Sequence, residues 1–174
     1  MSDTRISEKA LRAFMERAYE KEGFEAEEAR QIADVLMQAD LFGIESHGAQ
    51  RMMYYHQNIK SGSVDVRARA EVVRETPVSA LLDGHFAMGH LTAAKAMRIA
   101  VEKAQSSGAR VAILKSKSPS CGCGTVFDGT FSGTLCEGWG IAAAALRDVG
   151  VRVIDENHVA NLEAWNVPRD VDVQ

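Results

Sequence analysis

A chain of 174 residues that is 46% hydrophobic can bury a core for one ordinary domain or two very small ones. A net charge of -4 and a pI of about 5.7, with no dominant basic stretch, exclude nucleic acid as the expected partner. No apolar run approaches the ~20 residues of a membrane span, so no membrane partner is expected.

The opening stretch "MSDTRISEKALRAFMERAYEKEG" is charged throughout and lacks the apolar core of a signal peptide. Leu11, Phe14, Met15 and Ala18 recur at helical spacing behind Ser7, a candidate N-cap, and Gly23 ends that helix. A second helix is predicted from about Glu25 to Asp40, with Ala29, Ile32, Ala33 and Leu36 on its apolar face. The two read as an antiparallel pair with a short connection. "FGIESHG" breaks the pattern, and a third helix is predicted from near Gly48 to Lys60, closed by "SGSV".

"AEVVRE" and "VSALLDG" read as strands parted at Thr76-Pro77. Gly89 to Ser106 reads as a helix with Ala94, Met97, Val101 and Ala104 on one face. "ARVAILK" reads as a buried strand. A Gly- and Ser-rich loop leads to a helix at about Gly138 to Asp148, whose buried side carries Ala142, Ala145, Leu146 and Val149. "GVRVID" is a last short strand, and the tail is weakly patterned. The expected class is mixed α/β: a helical N-terminal segment packed on an incomplete mixed sheet.

Ser46, His47 and Arg51 stand out. His47 lies where a loop becomes a helix, and Arg51 follows four residues later, on the same helical face. A histidine can exchange a proton with a carbonyl or hydroxyl oxygen. An arginine can hold a carboxylate through two hydrogen bonds. Together they suit a small 2-oxo or 2-hydroxy acid, although such a pair at helical spacing is more often plain surface. Asp40 and Asp83 read as residues that satisfy turns and helix ends. His85 and His90 read as solvent-exposed turn histidines.

"ADLFGIESHGAQR", "IKSGSV", "LLDGHFAMGHLTAAKAM" and "EKAQSSGARVA", in this order, resemble the malate/L-lactate dehydrogenase family, which includes ureidoglycolate and diketogulonate dehydrogenases. The resemblance runs from about Ile6 to Ala112. It implies an NAD(P)-dependent oxidoreductase, with NAD or NADP as cofactor, a small 2-oxo or 2-hydroxy acid as substrate, and a homodimer. It implies that His47, beside Ser46, is the proton donor and that Arg51 contacts the substrate carboxylate. The family's second catalytic histidine belongs to an Asn-Ser-x-His-x-Gly motif. Here that stretch reads "LKSKSPSCGCG", and no histidine lies between His90 and His158. Little turnover is therefore expected from this chain alone.

Cys121, Cys123 and Cys136 fall within sixteen residues and do not suggest a disulfide framework. The expected location is the cytoplasm, with reduced thiols. A C-x-C pair with a distant third cysteine is not a usual zinc or cluster spacing. The stretch from "KSKSPSCG" through "DGTFSG" to "GVRV" resembles the C-terminal part of a small bacterial family that includes 2-thiouracil desulfidase. In that family the cysteine of "SPSCG" is one of three ligands of an iron–sulfur cluster. The resemblance places Cys121 there, while the other two ligands come from segments not seen in this chain. The expected organisation is a fusion of two partial domains, residues 1–111 and 112–161, with a tail at 162–174.

Overall fold

The computed structural model describes residues 5–118, 120–128 and 132–159. The described residues form two compact units: those up to 75 with 80–96, and 76–79 with those from 97 onward.

The first unit begins with α1, Glu8–Glu22. Ser7 caps it, its hydroxyl accepting from the Ala10 amide at 3.2 Å. Gly23 ends it in the left-handed conformation at φ 108°, its amide donating back to Glu20 and Tyr19. Helix α2, Ala26–Leu41, follows after three residues. Glu25 and Glu28 form a reciprocal capping box at its start. Met15 and Tyr19 from α1 meet Ala29, Ile32, Ala33, Leu36 and Met37 from α2 in a closed core, joined by Phe24 and Met88. The expected apolar stripe of α1 is displaced by one position: Phe14 is 55% exposed, and Tyr19 is buried instead. Tyr19 meets Phe24 edge to face at 6.0 Å.

The third helix starts later than its pattern suggests. Two 3-10 turns, Glu45–His47 and Ala49–Arg51, precede α3, Met52–Lys60. Strands β1 (Glu71–Thr76) and β2 (Ser79–Asp83) pair as a two-stranded sheet across Pro77-Val78. Helix α4 covers Gly89–Ser106, and Leu91 in its first turn packs against the first core.

The second unit holds its own core. Strand β3 (Val111–Leu114) pairs in parallel with β6 (Arg152–Asp155), with Val111 opposite Arg152 and Leu114 opposite Asp155. Helix α5, Ile141–Asp148, connects into β6 and buries Ala143 and Leu146. Val151 and Val153 join them, packed against Met97, Val101, Ala104, Ala112 and Leu114. Ala142 and Ala145 are only half-buried, so the buried stripe of α5 is centred one residue from the predicted one. A short antiparallel hairpin, β4 (Thr125–Phe127) with β5 (Leu135–Glu137), stands where the sequence reads as loop. Three-residue strands are too short to carry a readable alternation.

The mixed α/β class holds. The strands are distributed among three two-stranded sheets rather than gathered into one. The predicted tail at 162–174 lies outside the described residues. No helix among the described residues is long and apolar enough to cross a membrane.

Candidate active site

The Ser46–His47–Arg51 corner is built from the end of α2. Phe42 and Ile44 donate back to Gln38 and Ala39, and Gly43 turns the chain at φ 72°. The His47 amide then donates to Ile44, and the Gly48 amide to Glu45, closing the first 3-10 turn. Asp40, on the last turn of α2, reaches forward, and its Oδ2 accepts the Ala49 amide at 2.8 Å. Gly48 is buried against that carboxylate. A Cβ at position 48 would lie 1.7 Å from Asp40 Oδ1, so only glycine permits the contact. Asp40 thus satisfies a helix start, as its sequence position suggests, and in doing so sets where His47 and Arg51 stand.

Ser46 Oγ lies 2.9 Å from His47 Nδ1. Arg51 Nε donates to the Ser46 carbonyl at 2.6 Å. The three residues named from sequence are therefore one hydrogen-bonded group. Ser46 and His47 are exposed and Arg51 is half-buried. The Arg51 guanidinium also lies over the Tyr54 ring, 5.7 Å from its centroid. Nε is occupied, which leaves the two Nη groups to face an anion. Tyr54 had no sequence signal beyond its spacing of three from Arg51.

His85 and His90 part company. His85 is exposed, at φ 47°, with its amide donating to Asp83 Oδ1 at 2.9 Å and its ring 3.5 Å from Glu71. Asp83 therefore satisfies a turn, as expected. His90 corrects the expectation of an exposed turn histidine: it is half-buried on the first turn of α4. Its ring meets Tyr55 edge to face at 5.0 Å. Its Nδ1 is buried without a hydrogen-bond partner, and burial pushes its pKa below the ordinary value. The apolar neighbours that bury it come from distant segments, which is why local sequence missed it.

The cysteine loop packs on the start of α5. The Ser120 carbonyl accepts from the Ala142 amide at 2.8 Å, and the Gly122 amide donates to Ser118 at 2.8 Å. Cys121 is half-buried, Cys136 is exposed on β5, and all three cysteines are free thiols. Cys123 packs into the second core, where burial and then the charge of Asp155 push its thiol up. Among the described residues, no group of three or more His, Cys, Asp or Glu side chains could hold a metal ion.

The glycine loop is open at one glycine and closed at another: nothing lies within 4 Å of a Cβ on Gly124. A Cβ on Gly122 would meet Val126 at 2.8 Å and the Ser118 carbonyl at 2.9 Å, so that space is already filled by the protein itself.

Comparison with known proteins gives the family. The profile of the malate/L-lactate dehydrogenase family matches residues 6–127, a span that includes Cys121 and Cys123. The chain is 43% identical over 104 residues to a malate dehydrogenase of Pyrococcus abyssi, covering 60% of this chain and 29% of that one. It is 36% identical over 91 residues to an L-sulfolactate dehydrogenase of Methanocaldococcus jannaschii, covering 52% and 26%. The structure of malate dehydrogenase from Pyrococcus horikoshii OT3 superposes with a TM-score of 0.59 at 38% identity, covering 60% of this chain and 30% of that one. The chain thus spans about 30% of the length of these relatives. With its profile matched over most of the chain, and with a neighbour of known structure over the same region, the protein belongs to the malate/L-lactate dehydrogenase family.

Proposed function

We propose that this chain carries the acid-binding and proton-transfer corner of a 2-hydroxy acid dehydrogenase. One observation carries the reading: His47 and Arg51 are tied through Ser46 into one hydrogen-bonded group held by Asp40 and Gly48. The printed names of the relatives, malate and L-sulfolactate dehydrogenases, support an acid with a carbon-2 oxygen.

Reduction of a 2-oxo acid requires a hydride at carbon 2 and a proton at its oxygen. In this reading Arg51 holds the carboxylate through its Nη groups, because its Nε is committed to the Ser46 carbonyl. The Ser46 hydroxyl beside His47 Nδ1 orients the ring so that Nε2 faces the substrate oxygen, and the doubly protonated ring gives its Nε2 proton there and returns to the neutral form. The redox half belongs to NAD or NADP, which supplies the hydride when bound. A homodimer is part of the same reading, and light scattering tests it.

The test is a titration of the purified chain with L-malate, followed by the side-chain signals of Arg51 and His47 in NMR spectra. Both signals are expected to move, and Arg51→Ala is expected to abolish the response. In an NADH-consumption assay with a 2-oxo acid the chain is expected to show little turnover. Any residual rate should fall at least about 100-fold in His47→Ala. Unmoved signals at saturating malate would overturn the reading.

A further inference from the structure

Arg51 is held to the Ser46–His47 turn at one point, where its Nε donates to the Ser46 carbonyl at 2.6 Å. One hydrogen bond anchors the guanidinium but leaves the planar group free to pivot about it. A long side chain that moves freely loses that freedom when an anion binds, and the loss is taken from the affinity. A second contact is needed to keep both Nη groups turned one way.

Tyr54 supplies it. Arg51 and Tyr54 are three positions apart where the second 3-10 turn passes into α3, so their side chains are neighbours on the surface. The Arg51 Cζ lies over the Tyr54 ring, 5.7 Å from its centroid, inside the ~6 Å reach of a cation–π contact. Tyr54 is steadied in turn. Its ring meets Tyr55 at 5.7 Å and 64°, and Tyr55 meets His90 at 5.0 Å and 80°. Both are edge-to-face contacts, an arrangement that aromatic pairs favour. Tyr55 packs against the first core. Order therefore passes outward from the core through Tyr55 and Tyr54 to Arg51.

Packing does not account for Tyr54. It is 51% exposed, and among the described residues the first core takes Tyr55 and not Tyr54. The groove between α1 and α3 is lined from α3 by Met52, Met53 and His56, not by Tyr54. Its ring contacts are with Tyr55 and Arg51.

We infer that Tyr54 is a positioning residue, whose ring face holds the Arg51 guanidinium with its Nη groups turned to a carboxylate. The inference rests on the acid-binding reading of Arg51. A guanidinium takes a carboxylate at its edge and an aromatic ring at its face, so both contacts can be held at once. The Tyr54 hydroxyl takes no part.

The experiment titrates L-malate into the full chain and into its Tyr54→Leu and Tyr54→Phe variants, following the Arg51 side-chain NMR signals. Tyr54→Leu is expected to weaken malate binding about twofold to fivefold, the worth of an exposed cation–π contact. Tyr54→Phe keeps a ring face and should restore the affinity to within about twofold of the parent. The free proteins give a readout without malate. The Arg51 Cδ protons, shifted upfield by the ring in the parent and in Tyr54→Phe, should move downfield in Tyr54→Leu. The urea midpoint of Tyr54→Leu should match the parent, because the residue is exposed. Equal malate affinity in the parent and Tyr54→Leu would overturn the inference and leave the acid-binding reading standing. A loss that Tyr54→Phe fails to restore would also overturn it, since the hydroxyl and not the ring face would then be at work. A lowered urea midpoint in Tyr54→Leu would do the same, by assigning the ring to packing. Arg51 signals that malate leaves unmoved in the parent would overturn both readings.

Discussion

His47 and Arg51 owe their positions to two residues with no chemistry of their own. Asp40 anchors the turn through the Ala49 amide, and Gly48 leaves room for it. Gly48→Ala pushes a methyl into the carboxylate and breaks that hydrogen bond. A loss of about 2 kcal/mol is expected, read as a lowered urea midpoint, together with a weakened malate response. A midpoint equal to that of the parent would contradict the steric argument. Ser46 acts more gently. If its hydroxyl selects the Nε2-protonated ring, Ser46→Ala should raise the share of the Nδ1-protonated tautomer, visible in the 15N shifts of His47. An unchanged tautomer ratio would show that the 2.9 Å contact does not order the ring.

Among the elements, α1 and α2 carry the first unit, because their facing stripes are closed to solvent. Leu36 and Ile32 are fully buried there. Leu36→Ala should cost about 3 kcal/mol through lost transfer energy and the cavity left behind. Equilibrium urea unfolding measures it, and a loss under ~1 kcal/mol would mean that the core collapses around the gap. These helices were legible because period, cap and stop signals agree: Ser7 before the stripe and Gly23 after it. The grouping of Ser46, His47 and Arg51 was legible for a related reason, since the three are close in the chain. The hairpin β4–β5 was not, as each strand has three residues and its pairing is decided across the loop between them. Helix α3 was foreseen, but not the 3-10 turns before it. Those turns arise from Asp40 reaching over nine residues, which no local window registers.

At the scale of the whole molecule, acid should act in two windows, one in each unit. His90 is pushed below its ordinary 6.5 by burial, so the unfolded chain takes up that proton first. Stability is therefore lost as pH falls through about 6.5 and toward the folded value. Glu156, in the second unit, is pulled from 4.5 to about 2, first by the Lys115 hydrogen bond and then by the Ser116 amide. Burial raises Asp155, but hydrogen bonds from His158 and the Asn157 amide outweigh it and leave Asp155 below 3.8. The stability these carboxylates add is present above their ordinary values and is lost as pH falls through their folded values, about 2 for Glu156. Urea midpoints measured against pH should show both declines. His90→Gln should flatten the upper one alone, and Glu156→Gln the lower one alone. A profile that is flat from pH 7 to 5 would remove His90 from this account.

The sequence by itself determined the helices, the class of the fold, the family resemblance of the first two thirds and the grouping of Ser46, His47 and Arg51. Each depends on periodicity or on residues that are near neighbours in the chain. Tertiary structure alone decided that Tyr19 and His90 are buried with unpartnered polar atoms, that Cys123 belongs to a core, and that the strands divide into three pairs. Burial and strand pairing depend on contacts between segments tens of residues apart, and a one-dimensional pattern does not record which of them meet.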